Sequence, residues 1–373
     1  MANAAPVSAS TVLELTKALP LDCGQSLEGV RIAYETYGSL NAAGDNAVLI
    51  CHATTGDQYL ASTHPITGKP GWWDRMVGPG KGIDTDRFYV ICPNVLGSCM
   101  GTSGPSSLAP DGQPWAMRFP VITIRDMVRA HLALLDALGV GQLHAVVGGS
   151  MGGMQALSLA ANWPDRARRV MAIAATGEMP AQNIAFQEVG RQAVMADPNW
   201  QGGAYYNTGK APDAGLSVAR MAAHITYLSQ ATLSEKFGRR LQDREAKSFG
   251  FDADFQVESY LRYQGESFTG RFDANSYLYI TRAMSYFDLA EECAKGEHRL
   301  LADAFTDCKA RFCLVSFDTD WLYPTIESRN LAHALNAAGA PVSFVELAAP
   351  FGHDSFLLEV PELDRVIAGF LDQ

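Results

Sequence analysis

The sequence predicts an α/β fold: a mainly parallel central sheet flanked by helices and interrupted by a helical insertion. Three observations predict it. Short apolar runs alternate with longer segments of helical period in the first and last parts of the chain, the rhythm of strand–helix–strand units. A glycine-rich turn, Gly148 to Gly153, joins an apolar run directly to a helical one. From about Gly177 to Arg299 the rhythm stops, and polar and aromatic residues replace the buried-strand pattern. With 373 residues, the chain has room for a core of residues 1–176 and 300–373 and an insertion of residues 177–299.

The elements follow in order. Arg31 to Tyr37 alternates like a strand, and Ala47 to Cys51 and Phe88 to Cys92 read as short buried strands. Thr123, with Asp126 three residues on, reads as the cap of a helix running to Leu138 and ending at Gly139. Leu143 to Val147 is a strand, Met154 to Trp163 a helix stopped by Pro164, and Val170 to Ala174 a strand. Within the insertion, helices are expected over Val218 to Leu228, Glu258 to Tyr263 and Ser276 to Phe287. The alternation returns with a strand at Phe312 to Phe317, a helix at Ile326 to Ala338, a strand at Val342 to Leu347 and a helix at Glu362 to Leu371.

Composition narrows the function class. Hydrophobic residues make up 47% of the chain, which suits a large packed core. A formal net charge of −11 with no basic stripe argues against nucleic acid as a partner, because phosphate binding needs clustered cations. The seven cysteines show neither Cys-x-x-Cys nor zinc-like spacing, so reduced thiols and no metal are expected. The N-terminus lacks the basic start and apolar core of a signal peptide, and no apolar run reaches the roughly 18 residues of a membrane span. A cytoplasmic protein that does not enter membranes is the expectation.

The chemistry centres on Gly148-Gly149-Ser150-Met151-Gly152. Following a strand and opening a helix, this Gly-x-Ser-x-Gly has the context of a nucleophile elbow, the mark of an α/β-hydrolase fold. A serine needs a base. Of eight histidines, His353 alone follows the last strand in a loop, in the chain order this fold requires. His131 and His333 lie in helical patterns, His144 opens a strand, His64 and His298 lie in polar stretches, His224 is in the insertion, and His52 reads as loop-shaping. The acid that orients the base should follow the preceding strand, where Asp318 and Asp320 both stand; spacing alone does not separate them. For the oxyanion hole, Met151 is one backbone donor and Thr54, in the loop after Ala47 to Cys51, is the choice for the other.

These segments resemble the homoserine O-acetyltransferase family over nearly the whole chain. The resemblance rests on His52-Ala53-Thr54-Thr55-Gly56-Asp57, on Asn94 to Pro105 (NVLGSCMGTSGP), and on Gly148 to Gly153. It continues through Ala223 to Ser229 (AHITYLS), Asp320-Trp321-Leu322-Tyr323-Pro324 and Gly352-His353-Asp354. It implies acyl transfer from acetyl-CoA, a co-substrate with no permanently bound cofactor, to the hydroxyl of L-homoserine, early in methionine biosynthesis. It also implies a homodimer packed through the insertion. It favours Asp320 as the acid, Arg220 as the partner of the acceptor's carboxylate, and Asp354 for its ammonium group.

The sequence departs from the family at Thr54, where a leucine is usual. At Leu322 the succinyl-using relatives carry an arginine, so acetyl is the expected acyl group. Four rivals remain: an O-succinyltransferase of the same family, a serine-accepting transferase, a hydrolase of the same fold, and a non-catalytic ligand-binding member.

Overall fold

The computed structural model describes residues 11–294 and 299–372, so His298 lies outside the described residues. The central sheet has eight strands among them: β1 (Thr11–Glu14), β2 (Arg31–Tyr37), β3 (Ala47–Cys51), β4 (Tyr89–Pro93), β5 (Ala145–Gly149), β6 (Arg169–Ile173), β7 (Arg311–Phe317) and β8 (Val342–Leu347). Their spatial order is β1-β2-β4-β3-β5-β6-β7-β8. β2 is antiparallel to β1 and β4; every other pairing is parallel. β3 and β5 lie in the middle, and all ten of their residues are buried. This is why both read as unbroken apolar or glycine runs: in a covered parallel sheet neither face alternates with water.

Helix α1 (Ile124–Ala137) begins in a capping box, with Asp126 N–H donating to Thr123 Oγ1 at 3.1 Å and Thr123 N–H donating to Asp126 Oδ2 at 3.0 Å. Helix α2 (Met151–Asn162) follows β5 at once. Between β6 and β7 stand α3 (Ala181–Ala196), α4 (Asp213–Tyr227), α5 (Gln230–Lys236), α6 (Gln256–Thr269), α7 (Ala274–Ser285) and α8 (Leu289–Glu292). Of these, α4 packs on α3 and α6, and α3 also on α7. Helix α9 (Thr325–Ala337) joins β7 to β8, and α10 (Pro361–Asp372) ends the fold. No helix among the described residues is long and apolar enough to cross a membrane.

Three differences from the expected elements have physical causes. β5 ends two residues later than expected, and α2 starts three residues earlier, so glycines occupy regular structure on both sides of Ser150. Pairing with β3 and β6 holds Gly148 and Gly149 in the sheet although they have no side chains to pack. Helix α3 went unforeseen because it carries no apolar stripe: only Asn183, Gly190, Arg191 and Val194 are buried. Strand β1 is a four-residue edge strand whose burial pattern shows no marked alternation.

Candidate active site

Ser150 sits at the junction of β5 and α2 with φ 58° and ψ −125°, in a region that side chains other than glycine rarely occupy. Such a conformation costs about 1–3 kcal/mol and persists only where its surroundings over-determine it. Here they do. Ser150 N–H donates to the Ile173 carbonyl at 2.9 Å. A Cβ on Gly148 would lie 2.2 Å from the Gly152 carbonyl carbon, and one on Gly152 would lie 2.0 Å from the Cys51 carbonyl oxygen. The flanking glycines thus allow three backbone segments to close around the turn, lifting Ser150 above the end of the sheet.

His353 lies in a short 3-10 turn after β8, buried, with Nδ1 2.8 Å from Asp320 Oδ2. The other Asp320 oxygen accepts from the backbone N–H groups of Leu322 (2.9 Å) and Tyr323 (3.0 Å). Burial of the imidazole opposes its charging, but the charge and hydrogen bond of Asp320, with Asp354 adding, outweigh it and hold His353 above the usual histidine range. Asp318 faces elsewhere: its carboxylate accepts from Ala349 N–H at 3.0 Å and ties the β7 loop to the end of β8. Gly352, at φ 72°, lets the loop after α4 press against this turn, since a Cβ there would stand 2.5 Å from the Ser229 nitrogen.

His52 does shape its loop. Val95 N–H donates to its Nε2 at 3.1 Å, which leaves Nδ1 as the protonated nitrogen, donating to the Ala53 carbonyl at 2.8 Å. Burial lowers its pKa. A ring with both nitrogens engaged is no base for Ser150; it fixes the 53–56 turn beside the nucleophile. Thr54 lies on that turn, its hydroxyl donating to Met284 Sδ at 3.2 Å, and Met151 opens α2 on the other side of Ser150.

A cavity of about 280 Å³ opens above these groups, lined among others by Ser150, His353, Thr54, Tyr227, Arg220 and Asp354. Arg220 reaches it from α4. Its Nη1 donates to Thr55 Oγ1 at 3.1 Å, and its guanidinium lies 4.7 Å from the Phe268 ring centre and 5.5 Å from that of Tyr227. It forms no ion pair with a carboxylate among the described residues. Burial raises the pKa of Asp354, while His353 and Arg220 pull it down. A second, smaller chamber of about 60 Å³ also touches Ser150 and Thr54 and is lined by Leu322, Tyr323, Met284 and Gln187. Among the described residues no lysine, arginine or histidine lines it.

Every site residue expected from the sequence lines one of these two spaces or is in contact with one that does. Several other lining residues were not foreseen. Arg271, Asp57 and His64 stand in the wall of the larger cavity. His64 donates through Nε2 to Asp57 (3.1 Å), while its Nδ1 accepts from Ile66 and Thr67 N–H groups, both at 3.2 Å. Asp57 was within reach of the reading, because it closes the His52 to Asp57 segment. Arg271 follows α6 in a stretch without periodic pattern, and no local signal marks it. No group of three or more metal-ligating side chains occurs among the described residues.

Comparison with known proteins bears on the fold and the family. The α/β-hydrolase fold family matches residues 46–360. A homoserine O-acetyltransferase of Zymomonas mobilis is 65% identical over 355 residues, covering 95% of this chain and 94% of its own. The chain belongs to the homoserine O-acetyltransferase family. It is thus a member of a family of acyltransferase enzymes. A second such relative, from Rhodopseudomonas palustris, is 59% identical over 98% of this chain and 91% of its own. Among solved structures, homoserine O-acetyltransferase from Bacillus anthracis matches with a TM-score of 0.89 at 25% identity, over 98% of each chain. The structure of esterase E22 matches with a TM-score of 0.86 at 30% identity, over 97% of this chain and 99% of that one.

Proposed function

We propose that this enzyme transfers the acetyl group of acetyl-CoA to the side-chain hydroxyl of L-homoserine, in two steps through an ester on Ser150, as a step of methionine biosynthesis. The observation that carries the reading is one cavity holding a strained serine, a buried His353–Asp320 pair and an arginine without a carboxylate partner among the described residues. In the first step Ser150 Oγ attacks the thioester carbonyl while His353 Nε2 takes its proton. The backbone N–H groups of Met151 and Thr54 stabilise the oxyanion, and the CoA thiol leaves with that proton. In the second step the homoserine hydroxyl gives its proton to His353 and attacks the acetyl carbon; Ser150 recovers its proton as O-acetylhomoserine departs. Asp320 holds Nδ1–H so that Nε2 is free to accept. Arg220 and Asp354 take the carboxylate and ammonium of the acceptor. A cytoplasmic homodimer, with the helices between β6 and β7 at the subunit contact, belongs to the same reading.

Steady-state kinetics with acetyl-CoA and succinyl-CoA against L-homoserine and L-serine tests it. The expected result is the highest kcat/KM for acetyl-CoA with homoserine; a higher value for any other pair overturns the assignment. The match to an esterase favours one competing reading, transfer to water. Rapid release of CoA from acetyl-CoA without any amino acid, unaffected by homoserine, would favour that alternative.

Donor choice follows from the small chamber. Burying the terminal carboxylate of a succinyl group without a cation is expensive, because an isolated charge loses its hydration, and Leu322 offers no charge. Leu322→Arg is expected to move the acetyl-to-succinyl ratio of kcat/KM toward succinyl by at least tenfold; an unchanged ratio removes Leu322 from donor selection. For the acceptor, Arg220→Ala is expected to raise the homoserine KM about ten- to a hundredfold, as for loss of a charged hydrogen-bond partner. Acetylation of Ser150 by acetyl-CoA should persist in that variant, and an unchanged KM would contradict the role.

A further inference from the structure

A second guanidinium stands beside Arg220 in the catalytic cavity. Arg271, from the turn after α6, lines the same cavity as Ser150 and His353. The two arginines converge on one residue: Arg220 Nη1 donates to Thr55 Oγ1 at 3.1 Å and Arg271 Nη1 to the Thr55 carbonyl at 2.8 Å. They also share one ring, with guanidinium carbons 4.7 Å (Arg220) and 5.6 Å (Arg271) from the centre of Phe268.

Side-by-side cations repel. Burial pushes the pKa of Arg271 down and Arg220 adds to that, against the attraction of Asp57. Asp57 is the only carboxylate paired with either arginine among the described residues, and it is 3.6 Å from Arg271. It is also shared, accepting from His64 and from Tyr59 N–H (3.0 Å). The other ring nitrogen of His64, Nδ1, accepts two backbone N–H groups. Besides its two histidines, the cavity wall carries Lys69, Arg220 and Arg271 against Asp57 and Asp354. If Asp354 meets an ammonium group, the two arginines still lack an anion between them.

We propose that Arg271 is a second binding residue for the α-carboxylate of the acceptor, sharing that anion with Arg220 across Thr55. This rests on the reading that the acceptor is an amino acid. The chemistry fits: a carboxylate offers about four lone-pair sites, and one guanidinium fork fills two of them. Arg271 spends one N–H on Thr55 and keeps further donors for the second carboxylate oxygen.

The test compares wild type, Arg271→Lys and Arg271→Gln with L-homoserine and with 2-amino-1,4-butanediol, which lacks the carboxylate. The lysine variant keeps a charge for Asp57, so the fold is preserved while the fork is lost. The expected result is a homoserine KM raised about tenfold by lysine and up to about a hundredfold by glutamine. The yield of acetyl-Ser150 from acetyl-CoA alone stays unchanged, and the preference for homoserine over the diol falls by the same factors. An unchanged preference overturns the proposal. So does an equal decline with both acceptors, which marks a role in holding the Thr55 turn, and so does an effect confined to the KM for acetyl-CoA. If wild type acetylates Ser150 but does not transfer to homoserine, the acceptor reading itself fails, and this proposal with it.

Discussion

Ser150→Ala is expected to abolish both turnover and the covalent adduct. Incubated with acetyl-CoA alone, the wild type should gain the mass of one acetyl group, and the variant none. Loss of the nucleophile removes the acyl-enzyme route, which in serine enzymes accounts for roughly 10⁶-fold in kcat. An adduct of the same mass in Ser150→Ala would place the acyl group elsewhere and remove the central claim. The elbow adds a stability readout. Ser150 holds φ 58°, a conformation glycine adopts without penalty and alanine does not. Ser150→Gly should therefore raise the melting temperature while being as inactive as Ser150→Ala, whose stability should not rise. A gain of about 1 kcal/mol on relieving the strain is the expected size. Equal stability of the two variants would mean that the strain at the nucleophile is already relaxed by its neighbours.

Asp320→Asn is the second large effect, and its cause can be followed atom by atom. Asp320 Oδ1 accepts two backbone N–H groups, from Leu322 and Tyr323. In asparagine only the carbonyl oxygen accepts, so that oxygen stays on the two N–H groups and the amide nitrogen turns to His353. A donor now faces Nδ1, which must become the acceptor, and the proton moves to Nε2, the nitrogen that should accept from Ser150. The expected loss is about 10⁴-fold in kcat, the size found when an aspartate-to-asparagine change imposes the wrong tautomer on a catalytic histidine. Asp318→Asn should be mild, because its amide oxygen can still accept from Ala349 N–H. A reversal of the two phenotypes would reassign the acid.

The same pair fixes the sign of the pH dependence. His353 works as a base only when neutral, and Asp320 raises its pKa above the usual value. Wild-type turnover should fall as pH drops through that raised pKa. The residual activity of Asp320→Asn should fall at a lower pH, because the carboxylate that stabilised the imidazolium is gone. An acidic limb that does not move would show that it belongs to another group.

Much of this protein is legible along the chain because the information is local. The Thr123–Asp126 cap and the buried strands β3 and β5 depend on neighbours in sequence, and the order of serine and histidine is read directly along the chain. The α/β core, Ser150 as the nucleophile candidate and His353 as the base candidate are therefore read directly from the chain. Helix α3 was hidden because its buried face is made of Asn183, Gly190, Arg191 and Val194, which no apolar period describes. Gly190 reads as a helix breaker, yet it is required by the approach of Tyr277, whose hydroxyl would lie 2.0 Å from a Cβ there.

Asp318 and Asp320 are equivalent as spacing and different as geometry. One carboxylate points to the backbone of Ala349 and the other to His353, a choice made by how the loop after β7 folds over the end of β8. Arg220 and Arg271 are 51 positions apart and meet over Thr55 only because α4 and α6 pack together above the sheet. Hydrogen bonds and charge pairing act through a few ångströms of space, whereas sequence patterns record only periodicity and order. Which aspartate meets the base and which cations share the cavity therefore depend on the packing of distant segments.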